Sequence, residues 1–333
     1  MSGGPFNKVA IVGAGAIGGW MGVHLARTGV QLSVLARGET LAALQKNGLQ
    51  LHQGSELHTV PVQASNDAAT LGVQDLVVIS VKAPALATVA QQIGPLIGPD
   101  TVVLTAMNGV PWWFLHGFGG QAQGRSLCSV DPDGAIARAI PAPHIIGAVV
   151  HASCSVDAPG VIRHHFGDGL IVGEPSGQTS PRVQALHALL QKAGFNATLS
   201  PQIQKDIWFK LWGNMTVNPV SAITGATSDR LLDDDLVRGF MSNVMLEAKA
   251  IGERIGIPIA QEPEDRHAVT RKLGAFKTSM LQDVLASKPV ELDALVSAVR
   301  ELGQMTGVAT PFTDALLGLS RLHARVRGLY PPQ

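Results

Sequence analysis

Cysteine is nearly absent: the 333 residues contain only Cys128 and Cys154, with no CxxC and no metal-type spacing. A disulfide framework is thereby excluded, and a reducing compartment is the natural setting. Neither charge predominates. Twenty-five Lys and Arg balance 25 Asp and Glu for a formal net charge of zero, which removes any long-range pull toward nucleic acid or an anionic membrane. Only a local basic pocket for a small anion is left open. Long hydrophobic runs are missing as well. The apolar stretch at residues 9–12 is too short for a signal peptide or a membrane span, and no basic n-region precedes it. A soluble, cytoplasmic protein is expected, with neither nucleic acid nor membrane as a partner. The 11 histidines include no HxxxH, and His164 and His165 would point to opposite faces of a strand, so no metal site is expected.

What is present describes a globular chain with room for two cores. Hydrophobic residues make up 46% and charged residues 15%, which excludes general disorder, and the length exceeds the usual single domain. Lys8–Val12 is rich in β-branched residues, ends at Gly13, and reads as a strand buried on both faces. A helix over 17–28 ends at Gly29, and a strand over 31–36 closes a βαβ unit. Further strands are expected at 76–80 and 101–105. Between them a helix over 83–97 would be stopped by Gly98-Pro99. This alternation predicts a parallel, doubly wound sheet.

The texture changes near residue 145. Short β-like runs at 145–153, 161–165 and 170–173 are separated by Asp157-Ala-Pro-Gly160 and Gly167-Asp-Gly169. Such separators are turn chemistry, so an antiparallel extension of the first sheet is expected. A helix over Pro181–Lys192 follows. From 201 onward the periodicity is helical: Val237, Phe240, Met241, Val244, Met245 and Ala248 form one apolar stripe, and Leu292, Leu295, Val296 and Val299 form another. Carboxylates at 233–235 precede the first stripe, where they cap free amides. Pro311 opens a last helix ending near Arg327. The expected division is an α/β domain over 1–200 and an all-α domain over 201–333.

Two patterns carry chemistry. The first, Gly13-Ala14-Gly15-Ala16-Ile17-Gly18, matches GxGxxG between a strand and a helix. Gly13 would permit the turn, Gly15 the approach of a pyrophosphate and Gly18 close helix packing, while the helix amides at Ala16 and Ile17 face the phosphates. The second strand then ends Leu35-Ala36-Arg37, without the acid that holds a ribose 2′-hydroxyl; Glu39 comes only after Gly38. A guanidinium there suits a 2′-phosphate, so NADP is the expected cofactor. The bland alternative is a solvated surface arginine. The second pattern is Lys210, Asn214 and Asn218 at intervals of four, one polar helix face among Trp208, Phe209, Leu211, Trp212, Met215 and Val217. Polar groups in such apolar company need partners, and a ligand is one candidate.

With these residues in view the chain resembles the ketopantoate reductase (2-dehydropantoate 2-reductase) family over nearly its whole length. The matching positions are Gly13, Gly15, Gly18, Arg37, Lys82 in Ser-Val-Lys-Ala, Asn108 in Met-Asn-Gly, Lys210, Asn214, Asn218, Ser279 in Thr-Ser-Met-Leu-Gln-Asp, and Glu291. The resemblance implies a helical second domain of the 6-phosphogluconate dehydrogenase-like type and hydride transfer from NADPH to a small 2-oxo acid. It also implies Lys210 as general acid, Glu291 as the group that orders lysine and substrate, Asn214, Asn218 and Ser279 as substrate ligands, and Lys82 and Asn108 as cofactor-side residues. The apolar helices of the second domain leave a homodimer open.

Two departures stand out. Family members acting on ketopantoate typically carry Asn where this chain has Phe276, and the loop after Asn108 contains Trp112 and Trp113. These tryptophans either wall an apolar pocket or pack in a core or interface. Both departures point to a bulkier or less polar 2-oxo acid. Two rival readings are a β-hydroxyacid dehydrogenase acting at C3, which shares a Lys-x-x-x-Asn pair, and a non-catalytic NADP-binding sensor.

Overall fold

The computed structural model describes residues 5–332. The chain forms two compact units: one runs to Met107 and resumes over Ala135–Asp206, and the other joins Asn108–Gly134 to the chain from Ile207 onward. Chain order alone, on which a boundary near residue 200 rests, gives no hint that the segment after Met107 belongs with the helices.

The first unit is built on a ten-stranded sheet. Its elements begin with β1 (Lys8–Val12), α1 (Ala16–Ala26), β2 (Gln31–Leu35), α2 (Gly38–Asn47), β3 (Leu49–Gln53), β4 (Glu56–Val60) and β5 (Gln63–Ser65). They continue through α3 (Ala68–Leu71), β6 (Leu76–Ile79), α4 (Leu86–Gln92), β7 (Val102–Thr105) and α5 (Ala135–Ala139). The unit closes with β8 (Ile145–Ala158), β9 (Val161–Gly173), α6 (Pro181–Lys192) and β10 (Asn196–Leu199). The order is β4-β3-β9-β8-β7-β6-β1-β2-β5, with β10 also on β9. Strands β5, β2, β1, β6, β7 and β8 run parallel. Val9–Val12 and Leu76–Ile79 are buried throughout, as strands covered on both faces must be. The strand order reverses at β1, whose neighbours are β2 and β6, and the crevice outside the carboxyl ends at such a switch point is where open α/β sheets take ligands.

The expected antiparallel extension is the β8–β9 hairpin, turning at residues 159–160. Two details differ from expectation. The segments 161–165 and 170–173 form one strand, because Gly167 (φ +80°) absorbs the register irregularity opposite His151–Ser153 as a bulge rather than a turn. The helix expected over 83–97 is broken: Pro84 and the Gly94-Pro95 pair leave 3₁₀ turns at Ala83–Ala85 and Gly94–Leu96 flanking the short α4. The β3–β4 hairpin has no counterpart in the expectations. It adds to the far edge of the sheet through a parallel pairing of β3 with β9.

The second unit is helical. From Ile207 it takes most of α7 (Ile203–Thr224), then α8 (Ser228–Asp233), α9 (Asp235–Arg254), α10 (Pro263–Arg271) and α11 (Ser279–Leu285). A π-helical turn at Asp293–Ser297 leads into α12 (Ala298–Thr306), and α13 (Pro311–Val326) follows. Met241, Val244, Met245 and Ala248 of α9 are buried as their spacing predicts, and so are Leu292, Leu295, Val296 and Val299. Asp234 caps α9 by accepting from the amides of Leu236 and Val237. Trp208 and Trp212 are fully buried, and the Trp212 indole N–H donates to the Met245 carbonyl at 2.7 Å, tying α7 to α9. Among the described residues no helix is long and apolar enough to cross a membrane.

Candidate active site

The glycine turn at the carboxyl end of β1 separates packing from ligand space. Gly13 has φ +95°, and a Cβ on Gly18 would lie 2.1 Å from the Gly13 carbonyl oxygen and 2.2 Å from Ser80 Oγ. Both glycines are therefore required by the fold itself. Ser80, at the end of β6, donates from its hydroxyl to the Gly13 carbonyl at 2.8 Å and pins the turn across the switch point. Gly15 is different. A Cβ there would meet nothing within 4 Å, yet the residue is exposed at the amino end of α1, beside Ala16 and Ile17. Nothing in the fold requires glycine at 15, whereas a pyrophosphate brought onto the helix N-terminus does. Arg37, exposed, stands beyond the end of β2 as the residue before α2, and Lys82, also exposed, follows β6 at the start of a 3₁₀ turn. All of these residues belong to the first unit and to the carboxyl ends of its parallel strands.

The second unit gathers the remaining candidates around α7. Lys210 is half-buried and donates from Nζ to Asn108 Oδ1 at 2.8 Å. Asn218, two turns further along the same helix, donates from Nδ2 toward Ser279 Oγ at 3.4 Å, a long bond at the first residue of α11. Asn214 is half-buried between them in sequence. Glu291 is buried at 8% exposure, immediately before the segment that winds into the π turn.

That π turn explains how Asn108 reaches Lys210. The Val110 amide donates to the Ala294 carbonyl at 2.8 Å, and Gly109 (φ +84°) lies so close to Ala294 that a Cβ would meet its carbonyl oxygen at 2.7 Å. The Asn108 loop is thus docked on the segment that carries Glu291. π-Helical turns displace backbone groups from the regular ladder and concentrate at functional sites. Asn108, expected on the cofactor side, has its amide oxygen on the lysine. Trp112 and Trp113 in the same loop are buried, with 7% and 3% exposure, and pack as core.

The electrostatics of the lysine are unusual. Burial, reinforced by the nearby Arg266 guanidinium, pushes the Lys210 ammonium down from its ordinary 10.5 to about 8, while the Glu291 carboxylate works in the opposite direction. The sequence offers no signal for Arg266, since it sits in the polar run Glu262–His267 and reads as a solvated helix face. In the fold its guanidinium packs against Gly213 of α7. A lysine so tuned holds a proton at neutral pH and releases it readily, the property required of a general acid beside a developing alkoxide.

Comparison with known proteins covers almost the full chain. Residues 9–177 match the family model described as ketopantoate reductase PanE/ApbA, and residues 202–324 match the corresponding C-terminal model. A 2-dehydropantoate 2-reductase of Mesorhizobium japonicum is 46% identical over 324 residues, 97% of this chain and 99% of that protein. The crystal structure of a Ralstonia solanacearum protein assigned to the ketopantoate reductases is 58% identical with a TM-score of 0.95, covering 98% of this chain and 100% of that one. A 2-dehydropantoate 2-reductase structure from Methylococcus capsulatus superposes with a TM-score of 0.81 at 25% identity, covering 96% of this chain and 97% of that one.

Proposed function

Because the chain belongs to the ketopantoate reductase family and is an oxidoreductase, we propose that it reduces the C2 carbonyl of a 2-oxo acid to the 2-hydroxy acid. NADPH is the proposed cofactor, and 2-dehydropantoate, the substrate named in its relatives, is the first candidate. The observation that carries this reading is Lys210: a half-buried ammonium brought to about 8, bonded to Asn108 and balanced by Glu291.

The first unit fits a dinucleotide, since Gly15 leaves open space at the amino end of α1 where the fold has no other use for glycine. Gly13, Gly15, Ala16, Ile17 and Gly18 would hold the pyrophosphate, and Arg37 the 2′-phosphate, with Lys82 following β6, the neighbour of β1 on the side away from β2. When bound, the reduced nicotinamide supplies a hydride to C2 of the substrate.

The protein's own part is to manage the proton and the substrate's orientation. Lys210 holds a proton on Nζ and delivers it to the C2 oxygen as that oxygen takes up the π electron pair of the C=O bond, the C–O single bond being kept. Asn108, accepting one N–H of the ammonium, fixes the direction of the remaining two. Glu291 keeps the ammonium charged at neutral pH against the cost of burial. Asn214, Asn218 and Ser279 take the substrate's hydroxyl and other polar ends. A neutral amine is left on Lys210 after each turnover and regains its proton from solvent.

The test is steady-state turnover of a panel of 2-oxo acids with NADPH and with NADH. Consumption of NADPH with 2-oxo acids, slower with NADH, is the expected result. Oxidation of 3-hydroxy acids without turnover of any 2-oxo acid would instead establish chemistry at C3, and dinucleotide binding with no turnover would establish a sensor. The panel also settles the effect of Phe276: a clear best rate with 2-dehydropantoate removes the case for a less polar substrate.

A further inference from the structure

We propose that Arg266 is the anchor for the substrate carboxylate, its guanidinium seated in the notch that Gly213 leaves one turn beyond Lys210 on α7. The inference rests on the reductase reading above and adds to it a residue that sequence comparison did not single out.

Three observations place the guanidinium. A Cβ on Gly213 would lie 2.5 Å from Arg266 Nε, 3.0 Å from Nη2 and 3.1 Å from Cζ, so any side chain at 213 would expel it. Glycine is disfavoured inside a helix, and α7 carries it at the one turn where the guanidinium needs the room. Arg266 Cζ also stands 5.6 Å from the centroid of the Phe209 ring, on the residue preceding Lys210. Stacking on an aromatic face holds the planar group without using its N–H donors. Finally, Arg266 Nε is buried and has no hydrogen-bond partner. Among the described residues no carboxylate, carbonyl or hydroxyl accepts from this side chain.

A packed guanidinium with idle donors is costly unless an anion comes to it. It also stands close enough to Lys210 to disfavour the ammonium. Among the described residues whose charge acts on the Lys210 ammonium, Arg266 adds a second cation and Glu291 a carboxylate, so the three groups together lack one negative charge. A small 2-oxo acid supplies that charge, and it presents a planar, two-oxygen group matched to the arginine fork next to a carbonyl for Lys210. Asn214, Asn218 and Ser279 are neutral and cannot provide the missing charge balance. On this reading Arg266 distinguishes an acid from its uncharged analogues, while Lys210 acts on the adjacent carbonyl.

The experiment compares wild type with Arg266→Met on two substrates, the preferred 2-oxo acid and its neutral primary amide. Removing the anchor is expected to lower kcat/KM for the acid about a hundredfold, chiefly through KM, and to lower it for the amide by less than about threefold. An equal loss on both substrates would show a structural role, and an unchanged acid rate would show no role; either overturns the proposal. If Arg266→Met does not fold by circular dichroism, Arg266→Lys carries the same comparison, with an expected loss of about tenfold confined to the acid. Should wild type turn over no 2-oxo acid, the reductase reading fails by itself. Carboxylate binding by wild type and variant, followed by tryptophan fluorescence, then decides the anchor separately: loss of binding in the variant supports it and equal binding refutes it.

Discussion

The alkaline limb of the reduction rate is the property most directly set by the site. Lys210 must be protonated to act as the acid, and its folded value of about 8 lies well below the ordinary 10.5. A lowering of that size corresponds to about 3 kcal/mol disfavouring the charged form. The sign is then fixed. As pH rises through about 8 the ammonium loses its proton and reduction slows. One pH unit above that value only about a tenth of the enzyme is competent, and two units above only about a hundredth. A lysine at its ordinary value would hold the rate flat over the same range. Oxidation of the 2-hydroxy acid needs the neutral amine as base, so it should rise through the same pH at which reduction falls. The assay is kcat/KM against pH in both directions, which reports the free enzyme. Glu291→Gln removes the group that favours the charge and should move the limb to lower pH, whereas Arg266→Met should move it higher. A limb that stays near 8 in Lys210→Ala, or that ignores both neighbours, would refute the assignment.

The other predictions concern single positions. Lys210→Ala should lower turnover at least about a hundredfold while dinucleotide binding persists, which titration and steady-state kinetics together would establish. Gly18→Ala and Gly15→Ala should behave differently. The first places a methyl against the Gly13 carbonyl and should cost about 1–3 kcal/mol of stability in denaturant unfolding. The second meets nothing and should leave stability within about 0.5 kcal/mol while weakening the dinucleotide at least about tenfold, with equal Kd values counting against the pyrophosphate site. Arg37→Ala should weaken NADPH by about 1.5–3 kcal/mol and leave NADH alone. An equal effect on both cofactors would return Arg37 to the status of a surface charge.

Much of this was legible in the sequence because local pattern and tertiary need coincide. The run Lys8–Val12 is apolar on both sides because a central parallel strand is covered on both sides, and the stripe through Met241 and Val244 is a helix face that became a core. Where the two diverge, legibility fails. The β3–β4 hairpin carries mixed polar residues, with Leu57 exposed, and its pairing with β9 depends on chain more than a hundred residues away, so no local period marks it. Gly167 is turn chemistry in isolation but a bulge within a long hairpin. Lys210, Asn214 and Asn218 were readable because lysine and asparagine among tryptophans are conspicuous, whereas Ser279 was marked only by the family resemblance. Arg266 was not, because one arginine in a charged helix carries no mark until the glycine opposite it is known.

The π turn at Asp293–Ser297 links the Asn108 loop to the segment that carries Glu291. A regular helix there would satisfy the apolar stripe Leu292, Leu295, Val296 and Val299 equally well, so periodicity cannot reveal the irregularity. Its effect is local and chemical. The Ala294 carbonyl accepts the Val110 amide, which fixes the Asn108 loop, which in turn puts an amide oxygen on Lys210. Asp293, inside the turn, is held by the Tyr330 hydroxyl at 2.6 Å and by Ser297 at 3.0 Å, so the distortion is tied at both ends. Just before it stands Glu291, a carboxylate that favours the lysine's charge. The segment that makes this departure from helical geometry thus docks the Asn108 loop and carries Glu291 two residues before it.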